Sequence, residues 1–190
     1  MPKKPAKKPA ILDPQGRITV LLAEYHALYR LAEFRMGALD RRVPAAGAAI
    51  VAFLGSVPLL PERAGMIVLV AIPISVVWFV RTTINHARSL EDLLRAIEAA
   101  ERAINRAAGT PLLAFQSNHP SRGKAVGGRT GFETVSAVGL AAAVLIGACA
   151  YLADTPGSAT AVSILYMGYL VSMAGSILRW LVLWKRYRYK

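Results

Sequence analysis

The chain has 190 residues, 55% of them hydrophobic and only 18% charged, yet its formal net charge is +12, from 23 Lys and Arg against 11 Asp and Glu. Soluble domains run about 45–50% apolar and about 25% charged, so this balance, with a mean hydropathy of +0.41, describes a multi-span membrane protein that gathers its charge in loops. A single cysteine, Cys149, excludes a disulfide scaffold, and spans that take nearly half of the chain leave little room for a large catalytic domain.

Residues 1–12 are rich in proline and lysine and lack the apolar run and small-residue cleavage site of a secretory signal. They are expected to form a disordered basic tail, drawn to an anionic membrane face by about 1 kcal/mol per nearby charge. Asp13 and Pro14 then read as an N-cap and first helical residue. Across 13–42, Ile18, Leu21, Leu22, Tyr25, Leu28, Tyr29, Ala32 and Met36 recur at three- and four-residue spacing, which predicts an amphipathic cytoplasmic helix. Its mixed polar charge favours packing on another helix over lying on a bilayer.

Four apolar stretches follow, at about 43–60, 64–80, 132–153 and 159–183, each near the ~17–25 residues of a crossing helix. Their interiors carry no charged side chain, and Arg179 lies near the end of the fourth. In hydrocarbon, backbone amides must be paired within their own segment, so these are helices, with Pro58 and Pro73 each removing one donor. The fold class is therefore an all-α membrane protein with four transmembrane helices, in two hairpins at 43–81 and 132–184. Between the hairpins, 82–131 is expected to hold a second amphipathic helix and a loop. Ser89 is a plausible N-cap, and Leu90, Leu93, Leu94, Ile97, Ile104 and Ala108 form the stripe. Glu91–Arg95 and Glu98–Arg102 are spaced as i,i+4 ion pairs, and Gly109 and Pro111 supply the stop. Nothing forces a break at Arg81, so one rod from residue 64 to 108, roughly 65 Å long, is possible. Residues 112–116 suggest a short extended element, followed by a basic, glycine-rich loop at 117–131 and, at the far end, a basic cytoplasmic tail at 185–190.

Charge sets the orientation. Twenty-two of the 23 positive residues lie on one side of the four spans, with Arg63 alone on the other. The positive-inside rule then predicts cytoplasmic N and C termini in a bacterial inner membrane. Trp78, Trp180, Trp184, Tyr187 and Tyr189 lie near the same ends, where an aromatic belt belongs.

The stretch from Gly123 to Thr130 matches phosphate-loop spacing except that Arg129 replaces the lysine. With no sheet or Walker-B strand nearby, nucleotide hydrolysis is not expected. Arg122, Lys124, Gly127, Gly128, Arg129 and Thr130 instead suggest an anion or lipid-headgroup site at the start of the third span, against the plainer reading of a flexible basic loop. His26, His86 and His119 lack partners at metal-ligand spacing, so no metal and no cofactor are expected, and no catalytic grouping emerges. Cys149 reads as a packing residue. Charge-free spans argue against a proton-coupled transporter. Small residues repeat at four in Ala48, Ala52 and Ser56, in Gly139, Ala143 and Gly147, and in Gly168, Ser172 and Ser176, as helix-packing or oligomer interfaces do.

The run Glu24-Tyr25-His26-Ala27-Leu28 on a helix entering span one, and the charged continuation of span two from Arg81, resemble small bacterial multi-span membrane proteins. They are similar in plan to the short membrane effectors encoded beside nucleotide-signalling anti-phage systems. The resemblance covers the layout of about the first 110 residues and carries over no residue role. It implies a non-enzymatic, homo-oligomeric inner-membrane effector or sensor component, surrounded by membrane lipids. Its cytoplasmic helices would be engaged by a soluble partner protein or an anionic ligand, without direct nucleic-acid contact. An ion or small-solute channel and a membrane anchor for a soluble protein are the alternatives.

Overall fold

The computed structural model describes residues 13–56, 59–119, 125–153 and 160–187. The basic tail at 1–12, Pro58, Arg122, Lys124, Tyr189 and the last residues of the C-terminal tail lie outside them. Asp13 caps the first helix, its carboxylate accepting the Gly16 N–H at 2.9 Å with Pro14 next in line. Five helices follow in order: α1 (Pro14–Asp40), α2 (Arg42–Ser56), α3 (Glu62–Ala108), α4 (Gly128–Ala153) and α5 (Thr160–Lys185). No strand occurs among the described residues.

Three of these helices, α3, α4 and α5, are long and apolar enough to cross a membrane. The first expected span, at 43–60, is represented by α2, whose 15 residues rise about 22 Å against a hydrocarbon core of about 30 Å. α3 is one unbroken helix of 47 residues, with Pro73 inside it, and measures about 70 Å. Its charge-free part at 64–80 belongs to the bundle, and the part beyond Arg81 carries the charged residues.

α1 and α2 meet end to end at Arg41, and α1 lies antiparallel along the charged part of α3. Tyr25 reaches Glu101, Arg35 reaches His86, and Arg42, just past the end of α1, reaches Thr82 and Thr83. Ala32 and Leu39 of α1 are buried against Leu90 and Ile97 of α3, with Tyr25, Leu28, Tyr29, Met36 and Leu94 around them. The two amphipathic stripes thus bury each other, and α1 stands along the rod.

α4 is the hub of the bundle. Its Val135, Val138, Ala142, Leu145 and Cys149 are buried among Val76, Val80, Ile84 and Ala87 of α3, Leu170 and Ile177 of α5, and Phe53 of α2. Pro73 has no N–H to give the Leu69 carbonyl one turn back. The Tyr166 hydroxyl on α5 donates to that carbonyl at 2.8 Å, and Tyr169 does the same for Val70 at 2.7 Å. An orphaned carbonyl in hydrocarbon is costly, and α5 supplies what the proline removes.

The small-residue ladders fall mostly outside this packing. Ala48, Ala52, Ser56, Ala143, Gly147, Gly168 and Ser172 are exposed, while Gly139 and Ser176 are half-buried. A Cβ at Gly139 would come to 3.8 Å from Leu181, whereas one at Gly147 or Gly168 would meet nothing within 4 Å. α2 packs instead through Ala46 and Phe53. The contacts between helices are made by Ala46 and Phe53 of α2 and by Val138, Ala142 and Leu145 of α4, and the ladders mostly face outward.

Candidate functional site

The charged half of α3 holds the following loop in place by polar side chains set into its apolar stripe. Asn105 accepts the amides of Leu112 and Leu113 at 2.9 Å each through Oδ1 and donates to the Leu113 carbonyl at 2.6 Å. One turn earlier, Glu101 is fully buried. Its carboxylate accepts the Gln116 amide (2.9 Å), the Ser117 amide (2.9 Å), the Ser117 hydroxyl (2.8 Å) and the Tyr25 hydroxyl (3.3 Å). Burial alone would raise its pKa, but these donors outweigh it and hold the carboxyl below its ordinary value. The extended element expected at 112–116 is absent for this reason. Residues 111–114 have no regular structure and Phe115–Asn118 turn, because side chains of α3, not a neighbouring strand, satisfy their amides.

The third anchor is Glu91, and it alters the expected anion site. Glu91 Oε2 accepts the buried Gly127 amide at 3.1 Å, and Oε1 accepts from Arg95 Nε at 2.7 Å. Gly128 N–H goes to the Ala125 carbonyl and Gly131 N–H to Gly127. Gly127 has φ +78°, and a Cβ there would come within 2.7 Å of the Ala87 carbonyl oxygen. The glycines therefore let α4 start directly against the backbone of α3, and the chain's own carboxylate occupies the anion's place. Gly128 is buried and Thr130 half-buried. Arg129 turns away to Glu133 at 2.7 Å, with its side chain 83% exposed. Of the six residues expected to bind an anion, the structure sets Gly127 against α3, buries Gly128, half-buries Thr130 and sends Arg129 outward, while Arg122 and Lys124 lie outside the described residues.

Beside this junction a cleft of about 340 Å³ opens between α3, α4 and the end of α5, walled by Glu91, Arg95, Phe132, Trp184, Lys185 and Tyr187. Trp184 stacks on Phe132 at 5.9 Å, and its buried indole N–H has no acceptor among the described residues. The Tyr187 hydroxyl donates to Asp92 at 2.7 Å, which raises its pKa, and Arg88 sits 5.3 Å from its ring centre. Arg95 and Lys185 stand on its rim, with Arg95 paired to Glu91 of the same wall. From sequence, Trp184 and Tyr187 read as belt residues, because their placement on α3 depends on how α5 crosses it.

His86, beyond the charge-free part of α3, has its Nδ1 3.4 Å from Arg35. Burial and then the charges of Arg42 and Arg35 lower its pKa, which favours the neutral ring. His26, on α1, and His119, in the loop, lie on other elements and face Tyr25 and Phe115. On the outside of this layer, Phe34 (71%), Leu112 (67%) and Phe115 (66%) are exposed. No protein-family model, curated protein or solved structure matches the chain.

Proposed function

We propose that the chain is a non-enzymatic, oligomeric protein of the bacterial inner membrane that acts as an effector or sensor component, with anti-phage defence as its setting. In this reading α2 is the first of four crossings and both termini are cytoplasmic, as the 22 positive charges on one side suggest. A soluble partner or an anionic ligand engages the cytoplasmic layer, and the bundle responds by perturbing the membrane. The observation that carries the reading is α3 itself, one helix from Glu62 to Ala108 that is both a wall of the bundle and the spine of the cytoplasmic layer. A displacement of one half is a displacement of the other. The exposed aromatics Phe34 and Phe115 and the cleft beside Lys185 and Trp184 offer two kinds of contact for the engaging molecule. The outward small-residue ladders supply faces on which copies can approach closely.

The test is the mass of the detergent-extracted complex from its native host, together with membrane potential in cells overproducing the full chain. A homo-oligomer and depolarisation are expected. A monomer bound one-to-one to a soluble protein, with membrane potential unchanged at every expression level, would make the chain an anchor instead.

A further inference from the structure

A further cavity lies between α2, α3 and α4, along the charge-free part of α3. α2 seats on α4 through Phe53 and is tied to α3 where Arg42 meets Thr82 and Thr83. Past that tie a groove of about 520 Å³ separates α2 from α3, with Ala45 and Ala49 on one wall, Ile72 and Phe79 on the other, and Ala142 in its floor. The lining is apolar; the Ser75 hydroxyl already donates to the Ala71 carbonyl at 2.9 Å.

Behind the Phe79 wall of the groove the surroundings turn polar. Arg42 Nη1 donates to the hydroxyls of Thr82 and Thr83 at 3.0 Å each, and those hydroxyls pass their own protons to the Phe79 carbonyl. The guanidinium also lies 5.3 Å from the centre of the Phe79 ring, which is a wall of the groove. The cation is therefore fixed in direction by neutral acceptors and an aromatic face. No carboxylate pairs with it among the described residues. Its remaining N–H groups form the fork that matches a phosphate. An apolar slot whose Phe79 wall carries an uncompensated guanidinium on its ring face has the polarity of an anionic amphiphile.

We propose that this groove holds one acyl tail of an anionic phospholipid from the leaflet on the α1 side, with the lipid phosphate on Arg42. The tail bridges α2 and α3 where the chain leaves them apart. The site requires only that the helices lie in a bilayer, and it stands whether or not the chain transmits a signal.

Native mass spectrometry of the full chain, offered equal phosphatidylglycerol and phosphatidylethanolamine, tests it. One phosphatidylglycerol per chain should be retained, favoured about tenfold over phosphatidylethanolamine, a ratio equivalent to about 1.4 kcal/mol. Arg42→Gln should erase the preference between headgroups. Ala45→Leu with Ala49→Leu, both at exposed positions of α2, should fill the slot and end retention of either lipid, while an unchanged melting profile in detergent shows the fold intact. Arg42→Lys, which keeps the charge without the fork, should retain part of the preference. Equal retention of the two lipids by the native chain, or lipid bound as before by the leucine variant, would overturn the proposal. So would a lipid-free dimer that the leucine variant splits, since the groove would then belong to a second copy.

Discussion

Glu101 shows how one buried side chain organises its neighbourhood. Four donors converge on it, so Glu101→Gln leaves an N–H₂ facing N–H groups and should cost about 1.5–3 kcal/mol, the scale of hydrogen bonds to a charged group. The measurement is amide exchange at Gln116 and Ser117, expected to quicken strongly while exchange in α4 stays slow. The pH dependence follows from the direction of the shift. A carboxyl whose folded pKa lies below its ordinary 4.5 contributes stability that is present above that value and lost as pH falls through it toward the folded one. His86 acts earlier. Its folded pKa is lowered from 6.5, so below 6.5 the unfolded chain takes up the proton first and stability declines, and His86→Gln should flatten that part of the profile. In the bundle, Tyr166→Phe strips the Leu69 carbonyl of its donor, at an expected cost of about 1–3 kcal/mol in detergent unfolding. In a Pro73→Ala background, where the backbone can supply its own N–H, the same change should cost much less, and the difference is a double-mutant cycle. Equal costs in both backgrounds would show that the tyrosine acts by packing alone.

At the scale of the element, much of the layout was legible. The Asp13-Pro14 cap, the stripes of α1 and α3 and the stop at Gly109 are local signals, and each rests on spacing within a few turns. What periodicity hides is Glu101. It falls between Ile97 and Ile104 on the apolar face, where a lone acid reads as an interruption until a loop is found to supply its donors. The glycines misled in the opposite direction. A run such as Gly123 to Thr130 suggests an open nest of amides, but Gly127 serves close approach to Ala87, a tertiary fact with no local trace. α3 also carries a prediction of its own. One alanine inserted between Asn85 and His86 turns everything beyond it by about 100°. Leu90 and Ile97 then leave α1 and Glu91 leaves Gly127. Protease sensitivity of the 110–119 segment should rise sharply, and any depolarising activity should be lost, with the spans still inserted. Resistance equal to the native chain would mean that the layer is held by something other than this rod.

For the whole molecule, composition and charge foretold an all-helical chain with membrane-crossing helices, because burying apolar surface in lipid constrains sequence over every ~20 residues. It did not foretell which helix is the hub, or that the small-residue ladders face away from the bundle's own contacts. Those follow from packing across four helices at once. Orientation is open to direct labelling. In a Cys149→Ala background, a membrane-impermeant maleimide applied to intact cells should modify Arg63→Cys and spare Gln15→Cys and Thr110→Cys until the membrane is opened. The reverse pattern would invert the topology.

The bond between Tyr166 and the Leu69 carbonyl joins residues 97 positions apart, and that separation has a consequence in time. A nascent chain emerges from the N-terminal end, so α3 is made with its proline gap open and, among the described residues, no donor from α1 or α2 to close it. Synthesis must proceed through the whole loop, α4 and the start of α5 before the donor exists. Early inserted fragments ending before α5 should therefore be poor bilayer residents, readily degraded or held by the insertion machinery, and release should wait on the synthesis of α5.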